Sequence, residues 1–416
     1  MTDQSLAARA LSRPEFIALI AALMAMNALA IDVMLPALPY MGEALGVSNV
    51  NERQLVVSAY MIGFGAAQLV FGPLSDRFGR RAPLFVGLAI YIICAFAATL
   101  APTFAILLAL RFAQGLGAAA TRVVAISVVR DRFSGRDMAE VMSLTFMVFM
   151  VIPIIAPGIG QIILLTGPWH YIFLLMGGLA TAITLWAYLR LPETLHPDYR
   201  RSLSLGSITD GFRIVFTNRV AFSYGLAGMF LFGGMFGFII SSQQIFVDIY
   251  GLGPWFPLAF AFMAITMAVA SFLNARLVRQ FGMRRLSHGA LVVYLATSIV
   301  WLVASLTGPV PFWVFYGLFL VIQFMFGFMA SNMNSLSMEP LGKVAGTAAA
   351  VFGFTQTVGG AVLGTYIGQH FNGTLTPNAL GYVAMGTLVL GCALIAERGK
   401  LFGVSPEYAH APAVID

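Results

Sequence analysis

Charge is what this chain of 416 residues lacks: only 10% of its side chains are Asp, Glu, Lys or Arg, where a soluble domain carries about a quarter. That shortage excludes a water-soluble globular protein. Cysteine is nearly absent as well, and Cys94 and Cys392 lie far apart inside separate apolar stretches. They read as small core or lipid-facing residues, so neither a disulfide nor a thiolate metal site is expected. The five histidines (170, 196, 288, 370 and 410) fall at loops, span ends or the tail without metal-ligand spacing, and no metal is expected. No G-x-x-x-x-G-K-[ST] loop occurs, and no polar segment is long enough for a nucleotide-binding domain, so ATP is not used directly. Basic residues never cluster with aromatics outside the apolar runs, which argues against nucleic acid as a partner.

Hydrophobic side chains fill the space instead, at 59% of the total. Runs of about 20 apolar residues, enough to cross ~30 Å of hydrocarbon as a helix, recur at 16–40, 54–74, 83–101, 104–126, 141–165, 169–191, 220–243, 256–275, 289–307, 311–335, 344–369 and 377–396. The fold class predicted is an all-α integral membrane protein with twelve transmembrane helices. One long connection, 190–219, divides the runs into two sets of six. The expected organisation is an N-terminal six-helix bundle over 1–191, a linker over 192–218, and a second bundle over 219–416 that ends in a short tail. The first run imitates a signal peptide, with Ala28-Leu29-Ala30 as a cleavage mimic, but it continues past Ala30 and eleven runs follow. Of the 23 Lys and Arg, 20 share one side if both termini do, and Arg53 is alone on the other. The positive-inside rule then puts both termini in the cytoplasm.

Three charges lie deep inside the runs, away from their ends. Asp32 sits in AIDVMLPALP, where a carboxylate costs ~2.5–3.5 kcal/mol on insertion scales. Arg111 and Arg122 share the fourth run, 11 residues apart and so ~20° from eclipsed, pointing the same way. Asp32 lies eight residues before Tyr40 and Arg111 eight after Thr103, which puts both ~12 Å deep from the same side. Arg122 lies three turns further in. Asp32 and Arg111 are therefore expected to face each other, either as part of an ion pathway or as a structural pair. Pro36 has no N–H, so the Asp32 carbonyl loses its helical partner. Asn27 and Gln114 add neutral polar groups one or two turns away.

The most specific signal is GPLSDRFGRRAPL at 72–84. Gly72, Leu74, Asp76, Arg77, Gly79, Arg80, Arg81 and Leu84 reproduce the G-x-L-x-D-R-x-G-R-[KR]-x-x-L loop of major facilitator superfamily transporters. NARLVRQFGMRRL at 274–286 repeats it weakly, keeping Phe281, Gly282 and Arg284 at the spacing of Phe78, Gly79 and Arg81. With these residues in view the chain resembles the drug:proton antiporters of that superfamily, most closely the bicyclomycin- and chloramphenicol-resistance branch. DVMLPALPYM at 32–41 is similar to that branch's D-M-Y-L-P-A-L-P, with Val33 and Met34 in place of Met-Tyr. RFAQGLGAA at 111–119 matches its R-x-x-Q-G-x-G-A-A, and MEPLGKVAGTAAAVFGFTQ at 338–356 resembles its tenth-to-eleventh connection. In the fifth run IPIIAPGIGQ, 152–161, keeps Pro157 and Gly160 of the antiporter pattern but has Ile152, Ala156 and Gln161 at its other glycines.

The resemblance implies the major facilitator fold, two pseudo-symmetric six-helix bundles, with a site near the midplane between repeats. It implies Asp32 and Arg111 as the proton-coupling pair, and Asp76 with Arg77, Arg80 and Arg81 as a conformational latch. Pro153, Pro157, Gly158 and Gly160 make the fifth span bendable and closely packed. Small faces at Gly63, Gly65, Ala66 and Ala67 and at Gly346, Gly353, Gly359, Gly360, Gly364 and Gly368 suit either a seam between moving halves or tight packing inside one. Candidates for a substrate cavity are Asn27, Gln114, Arg122, Gln243, Asn332 and Gln356, with FLFGGMFGF (230–238) and FMFGFM (324–329) as adaptable apolar lining. The expected function is export of lipophilic small molecules in exchange for protons, by a monomer in the bacterial inner membrane, with no cofactor beyond the proton gradient. A carrier of a polar metabolite, using Gln243, Gln244, Asn332, Asn334 and Gln356, is the alternative. A sensor or enzyme is a more distant one.

Overall fold

The computed structural model describes residues 11–133, 135–196 and 205–402. Arg9, Arg200, Arg201 and His410, and the linker stretch 197–204, lie outside the described residues. Among the described residues every regular element is helical. Among the described residues, eleven helices are long and apolar enough to cross a membrane. They are Arg13–Ala44, Glu52–Phe78, Arg81–Ala98 and Phe104–Arg132 (spans 1–4), His170–Arg190 (span 6), Arg219–Ile249, Gly253–Phe281, Met283–Thr307, Phe312–Gly342, Gly346–Gln369 and Thr376–Ala396 (spans 7–12). Span 5 is the helix Gly135–Thr166, apolar over 141–165 and continuous through Pro153 and Pro157. The chain is a twelve-helix, multi-pass membrane protein.

Several helices outrun their apolar stretches. Span 4 goes on past residue 126 to Arg132, span 7 past 243 to Ile249, and span 8 past 275 to Phe281. Hydrocarbon thickness limits the apolar length, whereas backbone hydrogen bonding carries the helix on into the polar boundary. A further helix, Leu205–Thr217, occupies the segment expected to be plain linker. Leu205, Ile208, Phe212 and Val215 recur there at helical spacing. Val215 is buried with Ala221, Leu341, Ala348, Val351 and Phe352.

The chain forms two compact units, Met1–Ser204 with Ile239–Ala264, and Leu205–Phe238 with Ile265–Asp416. Inside each, glycine sets the distance between helices. Lipid tails are as apolar as side chains, so helices associate through close packing rather than through exclusion of water. In the first unit Gly115 of span 4 lies against the Tyr60 carbonyl and the Phe64 N–H of span 2, and Gly63 lies against Phe112 and Leu116. Gly87 of span 3 meets Gly117 and Ala120 in the same manner. In the second unit Gly360 and Gly364 of span 11 press on Phe232, Phe236 and Gly237 of span 7. The small faces at Gly63, Gly360 and Gly364 are thus used for packing inside one unit. The aromatic runs behave likewise: Phe232 meets Phe326 edge-on at 5.5 Å, and Phe238 lies 4.0 Å from Phe319.

This packing predicts an asymmetry among glycines. Gly115→Ala forces a methyl into backbone and should cost about 1–3 kcal/mol through overpacking, whereas a methyl at Gly178 meets open space. Thermal unfolding of the two purified variants should show a clear fall in Tm for Gly115→Ala and none for Gly178→Ala. Equal Tm values would contradict the seam between spans 2 and 4.

Candidate functional site

Span 1 is broken where its carboxylate sits. Its first helix ends at Asp32, Leu35–Ala37 continue as a single 3-10 turn, and a short helix, Leu38–Ala44, completes the crossing. Pro36 is the cause, since it offers no N–H to the Asp32 carbonyl and locks its own φ. The break leaves carbonyls of the last turn without helical partners. Gly160 of span 5 packs against this point, with the Val33 carbonyl and the Pro36 ring where its side chain would be. Gly158, by contrast, faces open space.

Arg111 fills the vacancy. Its Nη2 donates to the Ala30 carbonyl at 2.8 Å, its Nε to the Val56 carbonyl at 3.2 Å and its Nη1 to Gln114 Oε1 at 2.7 Å. The guanidinium also lies over the Tyr60 ring, 4.4 Å from its centroid. Arg111 is completely buried and Asp32 is 5% exposed. They occupy one level, as the depth count implies, yet they do not pair. Arg111 is committed to backbone and amide oxygens, while Asp32 has no hydrogen bond or ion pair among the described residues. Helix-end carbonyls compete for a cation because they carry the negative end of the helix dipole.

Asn27 and Gln114 join the same cluster. Tyr60 donates to Asn27 Oδ1 at 3.2 Å, and Asn27 Nδ2 donates to Thr121 Oγ1 at 3.0 Å. Tyr60 and Thr121, absent from the residues singled out in the sequence, therefore link spans 1, 2 and 4. Arg122 is half-buried beside Thr121. The other cavity candidates are mostly occupied elsewhere. Gln243 donates to Asp248 at 3.2 Å, and Asn332 exchanges amide bonds with Asn274 at 2.8 and 3.2 Å. Gln356 lies against Gly228. Gln244 donates to Asn51 at 2.8 Å and accepts from Gln54. Close by, Arg53, the lone basic residue of its side, pairs with Asp248 at 2.7 Å.

The 72–84 loop is held by a different set of charges. Gly79 turns the chain at φ +92°, and a side chain there would strike the Glu193 carboxylate. Arg80 binds Asp76 at 2.6 Å, Ser75 at 3.0 Å and Asp131 through two bonds at 2.7 and 3.1 Å. The backbone N–H groups of Arg80 and Arg81 donate to Glu193 at 2.8 and 3.1 Å, so this carboxylate caps the start of span 3. Arg81 binds the Leu191 and Tyr188 carbonyls, and Arg77 lies exposed over the Phe78 ring. The expected single cluster of Asp76 with three arginines is therefore one pair, Asp76 with Arg80; the other arginines satisfy their donors on carbonyls and an aromatic face. Asp131 and Glu193 supply the remaining charge. Asp131 lies in the last turn of span 4 and Glu193 just past the end of span 6, on the basic side, where buried loop arginines need counter-charges.

The weak repeat has the same construction. Gly282 turns at φ +77°, and Arg284 binds Glu397, just past span 12, at 2.7 Å and Glu339 of span 10 at 3.3 Å. Tyr224 donates to Glu397 at 2.9 Å and also meets His288 Nε2 at 2.9 Å. His288 Nδ1 accepts from the Phe402 N–H at 3.1 Å, which assigns its proton to Nε2. His288 is thus part of a buried polar chain rather than a bystander at a span end.

The chain is similar to known proteins. The profile of the Major Facilitator Superfamily matches residues 20–364. The bicyclomycin resistance protein homolog of Haemophilus influenzae is 30% identical over 355 residues, covering 83% of this chain and 87% of its own. The chloramphenicol resistance protein of Pseudomonas aeruginosa is 27% identical over 386 residues, covering 89% and 87%. Among solved structures, a D-xylose–proton symporter aligns at TM-score 0.70 with 14% identity, covering 91% of this chain and 97% of its own, a likeness of fold. A loop of glycine and arginines that recurs in the second set of six helices, within a profile that spans most of the sequence, makes this chain a member of the major facilitator superfamily.

Proposed function

We propose that the protein is a proton-coupled secondary transporter of the bacterial inner membrane, both termini in the cytoplasm, that exports lipophilic small molecules by alternating access. The observation that carries this reading is the Asp32 carboxylate: buried, at a helix break, and without a partner among the described residues although a guanidinium lies at its level. A structural ion pair would consume the charge. An unpaired carboxyl inside a span remains free to take and release a proton, and hydration with the distance to a cation decides which. Substrate and proton would then compete for one ionic state of the site. Relatives named for resistance to bicyclomycin and chloramphenicol support export of such compounds. A carrier of polar metabolites would need free polar groups, whereas Gln244 and Asn332 are hydrogen-bonded within the protein. No step in the reading calls for bond-breaking chemistry, a metal or a cofactor; the proton gradient drives it.

In alternating access the site opens to one side of the membrane at a time. The loop acts on that exchange from a distance. Asp131, with a 14% exposed side chain, is the firmer partner of Arg80, and Asp76 at 47% is the one that can be released and remade.

Two outcomes follow. In everted vesicles, Asp32→Asn should abolish uphill, pH-gradient-driven accumulation of a transported drug at normal levels of inserted protein. Accumulation with unchanged pH dependence would remove Asp32 as the carrier. Asp76→Asn should lower the maximal rate severalfold with KM nearly unchanged, while Asp131→Asn lowers the rate and also lowers Tm, because it strands a buried guanidinium, a loss of about 3–5 kcal/mol for a fully buried pair. A large rise in KM at unchanged rate would contradict the role given to the loop.

A further inference from the structure

Arg122 is the deep arginine of span 4 that no described residue holds. Arg111, one face and three turns away, places its donors on two carbonyls, an amide and an aromatic ring. Arg122 makes no hydrogen bond or ion pair among the described residues and is only half-buried, so its donors are open to a partner from outside the protein. A cation inside a membrane span is costly and marks a substrate or ion path unless it is paired.

Among the described residues of its unit, no carboxylate is placed to pair with it. In the same unit Glu15 is engaged by Arg190, Asp76 and Asp131 by Arg80, Asp137 and Glu140 by Arg13, and Asp248 by Arg53. Asp131 is nine residues along the helix, about 13 Å away. Asp32 lies five residues beyond Asn27, whose amide bonds Thr121, and so about 7.5 Å further along span 1. The Asn27–Thr121 pair beside Arg122 is mutually satisfied and offers it no acceptor.

We propose that Arg122 is the anion-recognition group of the transport site, and that the preferred substrates are organic acids, each an apolar body bearing one carboxylate. A guanidinium presents a planar fork that matches a carboxylate with two parallel bonds. The inference rests on the export reading and narrows its substrate class. Export of an anion in exchange for an entering proton is also favoured by an inside-negative membrane potential.

The test is equilibrium binding to the purified full-length protein of aromatic carboxylic acids of graded size, each paired with its primary amide. Binding is read without a pH gradient, so a failure of proton coupling leaves this result unaffected. The wild type should bind at least one acid roughly tenfold more tightly than its amide. Arg122→Gln should bring that acid down to the amide's affinity and leave amide binding unchanged, which also shows that the variant is folded. Arg122→Lys should restore part of the preference. The proposal is overturned if no acid is preferred to its amide by the wild type, or if Arg122→Gln weakens acid and amide alike.

Discussion

A guanidinium carried into hydrocarbon must place its N–H donors, and where Arg111 places them organises the first unit. One donor goes to the end of the broken helix in span 1, one to span 2 and one to Gln114 on its own helix, while the flat face rests on Tyr60. Three helices are thereby fixed at one level. The same commitment leaves Asp32 buried and unpaired. The cost of that carboxylate is borne by the fold, and the proton site proposed here is what it sustains.

The arrangement depends on close backbone approach. Gly160 lets span 5 lie against the break, and Gly63 with Gly115 brings span 2 near enough for the Val56 carbonyl to meet Arg111. At the basic side the two loops repeat one plan: a glycine at positive φ, an arginine, an acid on the fourth helix of the half and another just after its sixth. Duplication is clearer in these contacts than in the letters. In the first loop Arg80 takes the acid of the fourth helix, whereas in the second Arg284 stands at the spacing of Arg81.

Twelve spans were legible because membrane thickness writes itself into apolar run length, and the break at Pro36 because a missing N–H is a local fact. The level shared by Asp32 and Arg111 was legible by counting rise per residue. Their failure to pair was not, since counting gives height and facing but says nothing of a helix-end carbonyl competing for the same cation. Asp131, Glu193, Glu339 and Glu397 escaped notice because each acts across a gap of many residues, and sequence spacing reports only neighbours on one helix. The helix at Leu205–Thr217 was hidden by its glycines and serine, although its apolar spacing was present. Thr121 and Tyr60 carry no charge to single them out; a chain running Tyr60 to Asn27 to Thr121 exists only once three helices are packed.

Proton release on substrate binding tests the central claim most directly. In weakly buffered solution, adding a panel of lipophilic drugs to the purified wild-type protein should release protons with the compounds that bind. Asp32→Asn should bind those compounds and release none. Equal release from both proteins, or binding to the wild type without release across the pH range in which it transports, would contradict Asp32 as the site where substrate and proton compete.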